Sequence, residues 1–334
     1  MKKRMIALSV VIGALCIPFG VSAEDSSLSA TDILDKANEY QQSVTSMTMP
    51  MTMNFAGALK MSMSGMELTM DAKGSADINA EMIVEPMQMK MTGSMSFDIM
   101  DQSMGGNLES YILVDDENNL MDLYQKVDYK EDDTETTGEW MHDQQDLKEI
   151  LEAFGVSSIK ELQSLSTEDA LGEDIKIEWA VAEQDNAYEV SGKLAFADLK
   201  SLIQQSVEAQ SGDMDDETKA AVELVYGFMD PISVNISYVI NKDTFATESI
   251  HMDLNDTDME ALNAMIAPLI ESYYGAGDDE EIPEMVLSLE DISIDATYTY
   301  NDVAEIVVPS EASSATEIDV DELMNSAVDS VENN

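Results

Sequence analysis

Cysteine, arginine and histidine are almost missing from this chain. The one cysteine, Cys16, and the one arginine, Arg4, lie in the first 16 residues, and His142 and His251 are the only histidines. From Glu24 onward no disulfide, thiolate nucleophile or zinc–cysteine site is available, and no guanidinium fork can grip a phosphate or carboxylate. Two histidines leave little for imidazole catalysis or metal ligation. Cations in general are scarce: 16 Lys and Arg stand against 68 Asp and Glu, a formal charge of −52. Such a chain repels phosphate backbones and anionic headgroups, which excludes nucleic acid and an anionic membrane surface as partners. No G-x-S-x-G, H-E-x-x-H, P-loop or dinucleotide fingerprint occurs. Paired carboxylates are everywhere, so none is a signal, and the chain reads as a non-enzyme that needs no cofactor.

What is present begins with Met1-Lys2-Lys3-Arg4, then an apolar run from Met5 to Phe19, then Val21-Ser22-Ala23 before Glu24. That order reads as a secretory signal peptide over 1–23, which places the protein outside the cell or at its envelope. Cys16 is a possible lipid-anchor position, but Leu15 stands where a lipobox wants a small residue. No later stretch approaches the roughly 20 apolar residues of a membrane-spanning helix. The remaining 311 residues carry 13 lysines and no other cation. They suffice for one core without disulfides, read as a single domain over 24–312. Residues 313–334 read as an acidic, mobile tail.

Within the domain, Ser29 and Asp32 suggest a capping box ahead of a helix whose Ala30, Ile33, Leu34, Ala37 and Val44 fall at helical spacing. The next segment is the most informative. Met47, Met49, Met51, Met53 and Phe55 alternate with Thr48, Pro50, Thr52 and Asn54. Beyond a break at Gly57 the alternation resumes with Met61 and Met63, and Gly65 shifts its phase by one, as a bulge would. Met66, Leu68 and Met70 follow, then Ala76 to Val84, then Met87, Met89 and Met91, then Met95, Phe97 and Ile99. Lys73-Gly74 and Gly93-Ser94 read as turns between these runs. Period two over such a length means sequential antiparallel strands with one apolar and one wet face. Pro50 marks the first strand as an edge or a bulged strand.

Further strands are expected at Leu108–Val114, Leu120–Tyr129 and near Trp140, with Asp115 to Asn119 as a hairpin loop and Lys130–Gly138 as an exposed loop. Leu147 to Phe154 and about 157–165 read as helices. The second half reads as strands Ile175–Val181 and Ala187–Phe196, helices around Leu199–Val207 and Ala221–Phe228, and a hairpin of Ile232–Ile240 with Thr244–Leu254. A helix capped by Thr257 and Glu260 and interrupted at Pro268 follows, then strands Met285–Leu289, Ile292–Tyr300 and Ile306–Val308. The fold class is α+β, a large curved antiparallel sheet packed on helices.

The helix Ala30 to Ala37 running into methionine-alternating strands, then Glu109-Ser110-Tyr111, Leu123-Tyr124, Trp140 and the closing Ile306-Val307-Val308-Pro309-Ser310-Glu311-Ala312, resembles the uncharacterised secreted lipoproteins of Gram-positive bacteria in the LolA/LppX-like group. The resemblance implies an open half-barrel wrapped around helices, with an apolar cavity that carries lipid or lipidated protein in characterised relatives. The chain departs from that group in its poor lipobox, its length and its acidity.

Fourteen methionines lie between Met47 and Met100. Methionine is not a favoured strand residue, so propensity does not explain them. Unbranched and polarizable, it suits surfaces that repack around varied apolar partners. The candidate contacts for a lipid or hydrophobic peptide are Met49, Met51, Met61, Met63, Met89 and Met91. A plain packed core, and with it a structural or interaction protein, is the alternative. Cu(I) ligation by thioethers is another, since same-face neighbours lie about 6.6 Å apart, and surface methionines absorbing oxidant is a third. Two acidic runs resemble calcium loops, but Ala264 and Leu224 occupy their twelfth positions instead of Glu.

Overall fold

The computed structural model describes residues 28–63, 66–100, 102–131, 134–148, 151, 156–157, 177–197, 227, 229–265 and 284–315. Its first element is helix α1 (Ala30–Gln42). Ser29 caps it: the Asp32 backbone N–H donates to Ser29 Oγ at 3.2 Å, and the Ser29 N–H donates to Asp32 Oδ2 at 2.9 Å. Two orphan donors of the first turn are thereby satisfied. Ile33 and Leu34 are completely buried, each contributing about 1.5–3 kcal/mol by transfer from water.

Among the described residues thirteen antiparallel strands make one open, curved sheet. They are β1 (Ser46–Met63), β2 (Met66–Ile83), β3 (Gln88–Ile99), β4 (Gln102–Asp115), β5 (Leu120–Glu131), β6 (Thr134–Thr136) and β7 (Met141–Asp146). The second half adds β8 (Ala180–Glu183), β9 (Ala187–Ala195), β10 (Ser233–Asn241), β11 (Thr247–Asp253), β12 (Glu284–Thr297) and β13 (Thr299–Tyr300). The order is β6-β5-β4-β3-β2-β1-β12-β11-β10-β9-β8, with β7 beside β5 and β13 beside β1. Two local meanders, β1–β5 and β8–β12, are thus joined along a single seam where β1 meets β12. The long β1 and β2 span about 60 Å each.

Several expectations are corrected. Lys73-Gly74 and Gly93-Ser94 are not turns; both lie inside long strands, with Gly74 opposite Phe55 and Phe97 and Gly93 opposite Ile78 and Leu108. Gly57 does not end its strand: β1 runs through it, and the irregularity sits in β12, where Ala56 pairs Asp291 and Gly57 pairs Leu289. The phase change placed at Gly65 comes from the hairpin register, in which Met63 pairs Met66. Pro50 is in a central strand. It is accommodated because the ladder on one side of β1 breaks between Thr48, which pairs β13, and Met51, which pairs β12. A missing N–H costs least there. The loop expected at Lys130–Gly138 contains the short, exposed strand β6. Residues 302–309 form no strand, although Ile306 is buried. Asp258 takes the capping role given to Thr257, accepting the Ala261 N–H at 3.0 Å, and helix geometry follows over 259–265.

Helices are fewer than the α+β reading expected: among the described residues α1 is the one long helix. The helices placed at 157–165, 199–207 and 221–228, most of that at 147–154 and the helix beyond Met265 lie outside the described residues, as do the signal segment 1–23 and the tail beyond 315. Of the described helices, none is long and apolar enough to cross a membrane.

Candidate functional site

Strand alternation and register put the methionines on one face. Reading across β12, β1, β2, β3, β4 and β5, one row is Ala296, Met51, Ile78, Gly93, Leu108 and Val127, and the next is Ile294, Met53, Ala76, Met95, Gly106 and Tyr129. The opposite face receives every charged residue within β1–β5 except Glu131, the last residue of β5. There Lys90 meets Glu81 at 3.5 Å, Lys126 meets Asp128 at 3.6 Å, and Thr52 donates to Asp77 at 2.9 Å. Charge is therefore segregated completely enough that the methionine face offers a ligand only apolar contact and a few amides and hydroxyls.

Glycines sit on this face at 57, 74, 93 and 106. A Cβ on Gly93 would stand 2.4 Å from the Asp77 carbonyl oxygen, and one on Gly106 would stand 2.2 Å from that of Asp128. Any side chain there would push neighbouring strands apart, so glycine lets these long strands coil closely.

The face has two halves with different fates. Over β9–β12 it is covered by α1: Ile33, Leu34, Val190, Ile236, Tyr238, Ile240 and Ile250 form one buried cluster, with Met49 and Met51 packed against it. Trp179 lies across Gly192, and its ring centroid is 5.9 Å from that of Tyr238. Over β2–β5 the lining is half-buried and becomes exposed toward the hairpin tips. Met95, Met104 and Tyr129 are 44%, 41% and 60% exposed, and Met66, Leu68 and Met100 at the tips are exposed as well. The other end of this half is closed by Val114, Leu147, Leu151 and Val156, against which Met87, Ile112 and Met121 pack.

Of the six candidate contacts, Met49 and Met51 border the packed core, Met61 is half-buried toward the far end of β1, and Met89 and Met91 are half-buried on β3. The side chain of Met63 lies outside the described residues. Alternation brings all six onto one face, but β1 and β3 are separated by β2. The exposed Met95, Met104 and Tyr129 were not among the candidates. The signal that could have found them is the continued alternation of β3 past Gly93. A shallow depression of about 410 Å³ at the β3–β5 tips is bordered by Ser94, Met95, Met104, Tyr129, Lys130 and Glu135. A smaller one of about 200 Å³ lies among Thr92, Asn107, Glu109, Lys126 and Asp128. None of the six methionines borders either.

Both histidines belong to hydrogen-bonded pairs away from the methionine face. His142 Nε2 lies 2.8 Å from Asp122 Oδ1, and its ring stacks on Tyr124 at 4.4 Å. His251 lies between two carboxylates, with Nδ1 2.7 Å from Asp295 and Nε2 3.3 Å from Asp253. Burial disfavours the charged ring of His251, but the Asp295 hydrogen bond and the two carboxylate charges outweigh it and raise its pKa. Asp253 is lowered despite burial, held by the Asn255 N–H, the Asn235 amide and His251. Burial, then the bond to Glu109 at 2.8 Å, pushes the Tyr111 hydroxyl up to about 12. Among the described residues no group of three or more His, Cys, Asp or Glu side chains is arranged to hold a metal ion.

Fold and site together define an open antiparallel-sheet protein with a long, methionine-rich face that is nearly free of charge. The chain belongs to a family of unknown function, DUF6612, whose profile matches residues 29–266. No curated protein matches it. Among solved structures it is similar to a beta-barrel-like protein of the DUF1849 domain from Brucella abortus, at 9% identity over 76% of this chain and 98% of that one, with a TM-score of 0.19. It is also similar to a DUF1329 family protein from Desulfovibrio piger ATCC 29098, at 8% identity over 81% and 92%, with a TM-score of 0.19. At such scores neither likeness bears on fold or function.

Proposed function

We propose that the protein is a secreted, non-catalytic binding protein that holds a lipid or other apolar ligand against its methionine face at the cell envelope. The observation that carries this reading is the part of that face toward the tips, which no described element covers: Met95, Met104 and Tyr129 remain exposed, whereas the half beside β12 is buried under α1. Exposed apolar side chains scattered singly are ordinary, but a contiguous set on one sheet face marks a binding surface. Methionine adds adaptability, because its side chain repacks around different shapes at little cost. The resemblance to the LolA/LppX-like secreted lipoproteins, with their half-barrel wrapped on helices, agrees with this reading. Met89 and Met91 are the candidate contacts on the uncovered half, and Met49, Met51, Met61 and Met63 lie along the strand that bounds it.

A second reading, a structural or interaction protein with a packed core, draws support from Met49 and Met51, which pack against the buried cluster beneath α1. Native mass spectrometry of the gently purified full chain, followed by titration with a neutral fluorescent apolar dye, separates the two. The binding reading expects a co-purified adduct, or dye uptake that a Met89→Ser/Met91→Ser variant reduces. An empty protein that ignores the dye leaves the second reading.

A further inference from the structure

We propose that the occupant of the open apolar face is a cationic amphipathic peptide in helical form. This rests on the reading that the face binds an apolar ligand, and specifies what that ligand is. The first argument is width. Toward the tips, exposed apolar side chains stand on four neighbouring strands, Leu68 on β2, Met95 on β3, Met104 on β4 and Tyr129 on β5, a width of about 14 Å at the usual strand spacing. An α-helix with side chains is about 10–12 Å across and fits such a face, whereas a single acyl chain would leave most of it wet. The second is lining chemistry. Met89, Met91 and Met95 lie beside Ile78, Leu108 and Val127, with no charged group among them. Apolar anchors at successive turns of a helix can settle among such flexible thioethers without a fixed register.

The third argument is the sign of the charge. One end of the face is closed by Val114, Leu147, Leu151 and Val156, so an occupant settles toward the tips, where Met66, Leu68, Met95, Met104 and Tyr129 are exposed. Near those tips, on the reverse face of the sheet, Glu67, Asp71, Asp98 and Asp128, with Glu135 of β6, outnumber Lys60, Lys73 and Lys130, and Lys126 already pairs with Asp128, so the field around the tips is negative although the methionine face there is apolar. The whole chain carries −52, and no cation follows Lys242. An anionic headgroup would approach against this field and find no arginine fork to hold it. A lysine-rich peptide would be drawn in by the same field.

The test uses the full chain and three labelled synthetic helices with identical leucine positions, their polar faces built from lysine, glutamine or glutamate. At low salt the leucine–lysine peptide is expected to bind at least about tenfold tighter than the leucine–glutamine one. The gap should narrow as salt shortens the Debye length. The leucine–glutamate peptide should bind weakest. A Met95→Ser/Met104→Ser variant, altered only at exposed positions and checked by circular dichroism, should lose most of the leucine–lysine affinity. Equal binding of the lysine and glutamine peptides overturns the charge preference while leaving an apolar-ligand site standing. Unchanged leucine–lysine binding by the serine variant overturns the location, since attraction to the acidic body would then suffice. Failure of all three peptides together with the neutral dye removes the proposal along with the reading beneath it.

Discussion

The two halves of the methionine face have the same strand alternation and the same continuous sheet, yet one is a core and the other is a surface. Beside β12, side chains from α1 and from β9–β11 meet Met49 and Met51, and the cluster includes Ile33, Leu34, Tyr238 and Ile240 with no exposure. Across β2–β5 the lining stays half-open and ends in exposed Met95, Met104 and Tyr129. Residue type does not follow the same division: the packed half takes Met49, Met51 and Met252 in among its Ile, Val, Leu and Tyr, and the open half sets Ile78, Leu108 and Val127 among its Met, Gly and Ala. Alternation thus specifies which face a residue is on, and the neighbour packed over it decides whether that face is filled.

The sharpest way to break this contrast is a large-to-small substitution in each half. Leu34→Ala should destabilise by about 2–5 kcal/mol, because α1 cannot close the space left behind. Met95→Ala should cost much less, about 0.5 kcal/mol, since the residue is already 44% exposed. Chemical denaturation of the two variants measures both, and equal losses would dissolve the distinction. Next, Gly93→Val should cost about 1–3 kcal/mol by overpacking against the Asp77 carbonyl, with loss of closeness between β2 and β3. Thermal unfolding checks this, and a neutral result would show that the strands need not lie so near. Mild peroxide should oxidise Met66, Met95, Met100 and Met104 well before the buried Met47 and Met252, read by peptide mass spectrometry. Uniform oxidation would contradict the division.

The smallest effect concerns the outer face near the packed half. His251 has a raised pKa in the folded chain, so its contribution is fully present below its unfolded value of 6.5 and fades as pH rises through the folded value. Asp253 is lowered, so its contribution is present above 3.8 and is lost as pH falls through its folded value. Stability should therefore slope gently downward across the neutral range, and His251→Asn should flatten that slope. Partial exposure of the ring keeps the effect small.

Much of this was legible beforehand. The α1 cap and its buried Ala30, Ile33, Leu34 and Ala37, the single apolar face and the strands β9, β10 and β11 follow from spacing alone, whereas the two strands expected at 285–289 and 292–300 are mostly one long β12. Turn placement failed where glycine was read as a break. A better rule was available in the chain: methionine-face positions are odd in β1, even in β2, odd in β3, even in β4 and odd in β5. Each even-numbered hairpin loop flips parity, while Lys73-Gly74 and Gly93-Ser94 leave it untouched and so lie within strands. Pro50 misled because the ladder break that admits it depends on β12 and β13, more than 200 residues away. The open half of the site was out of reach for a related reason: alternation names a face, and which neighbour covers it depends on strands far off in the chain.

The seam between β1 and β12 imposes an order of events on biosynthesis. Strands β1 to β5 can zip up as they leave the ribosome, each beside the one just made. The outer margin of β1 must then wait, with its hydrogen-bonding groups unmated, until residues 284–297 have been translated. A nascent chain halted before that point would display a long, methionine-rich strand margin ready to recruit another copy. Newly made protein is therefore expected to be most vulnerable to misassociation late in translation, just before its last long strand arrives.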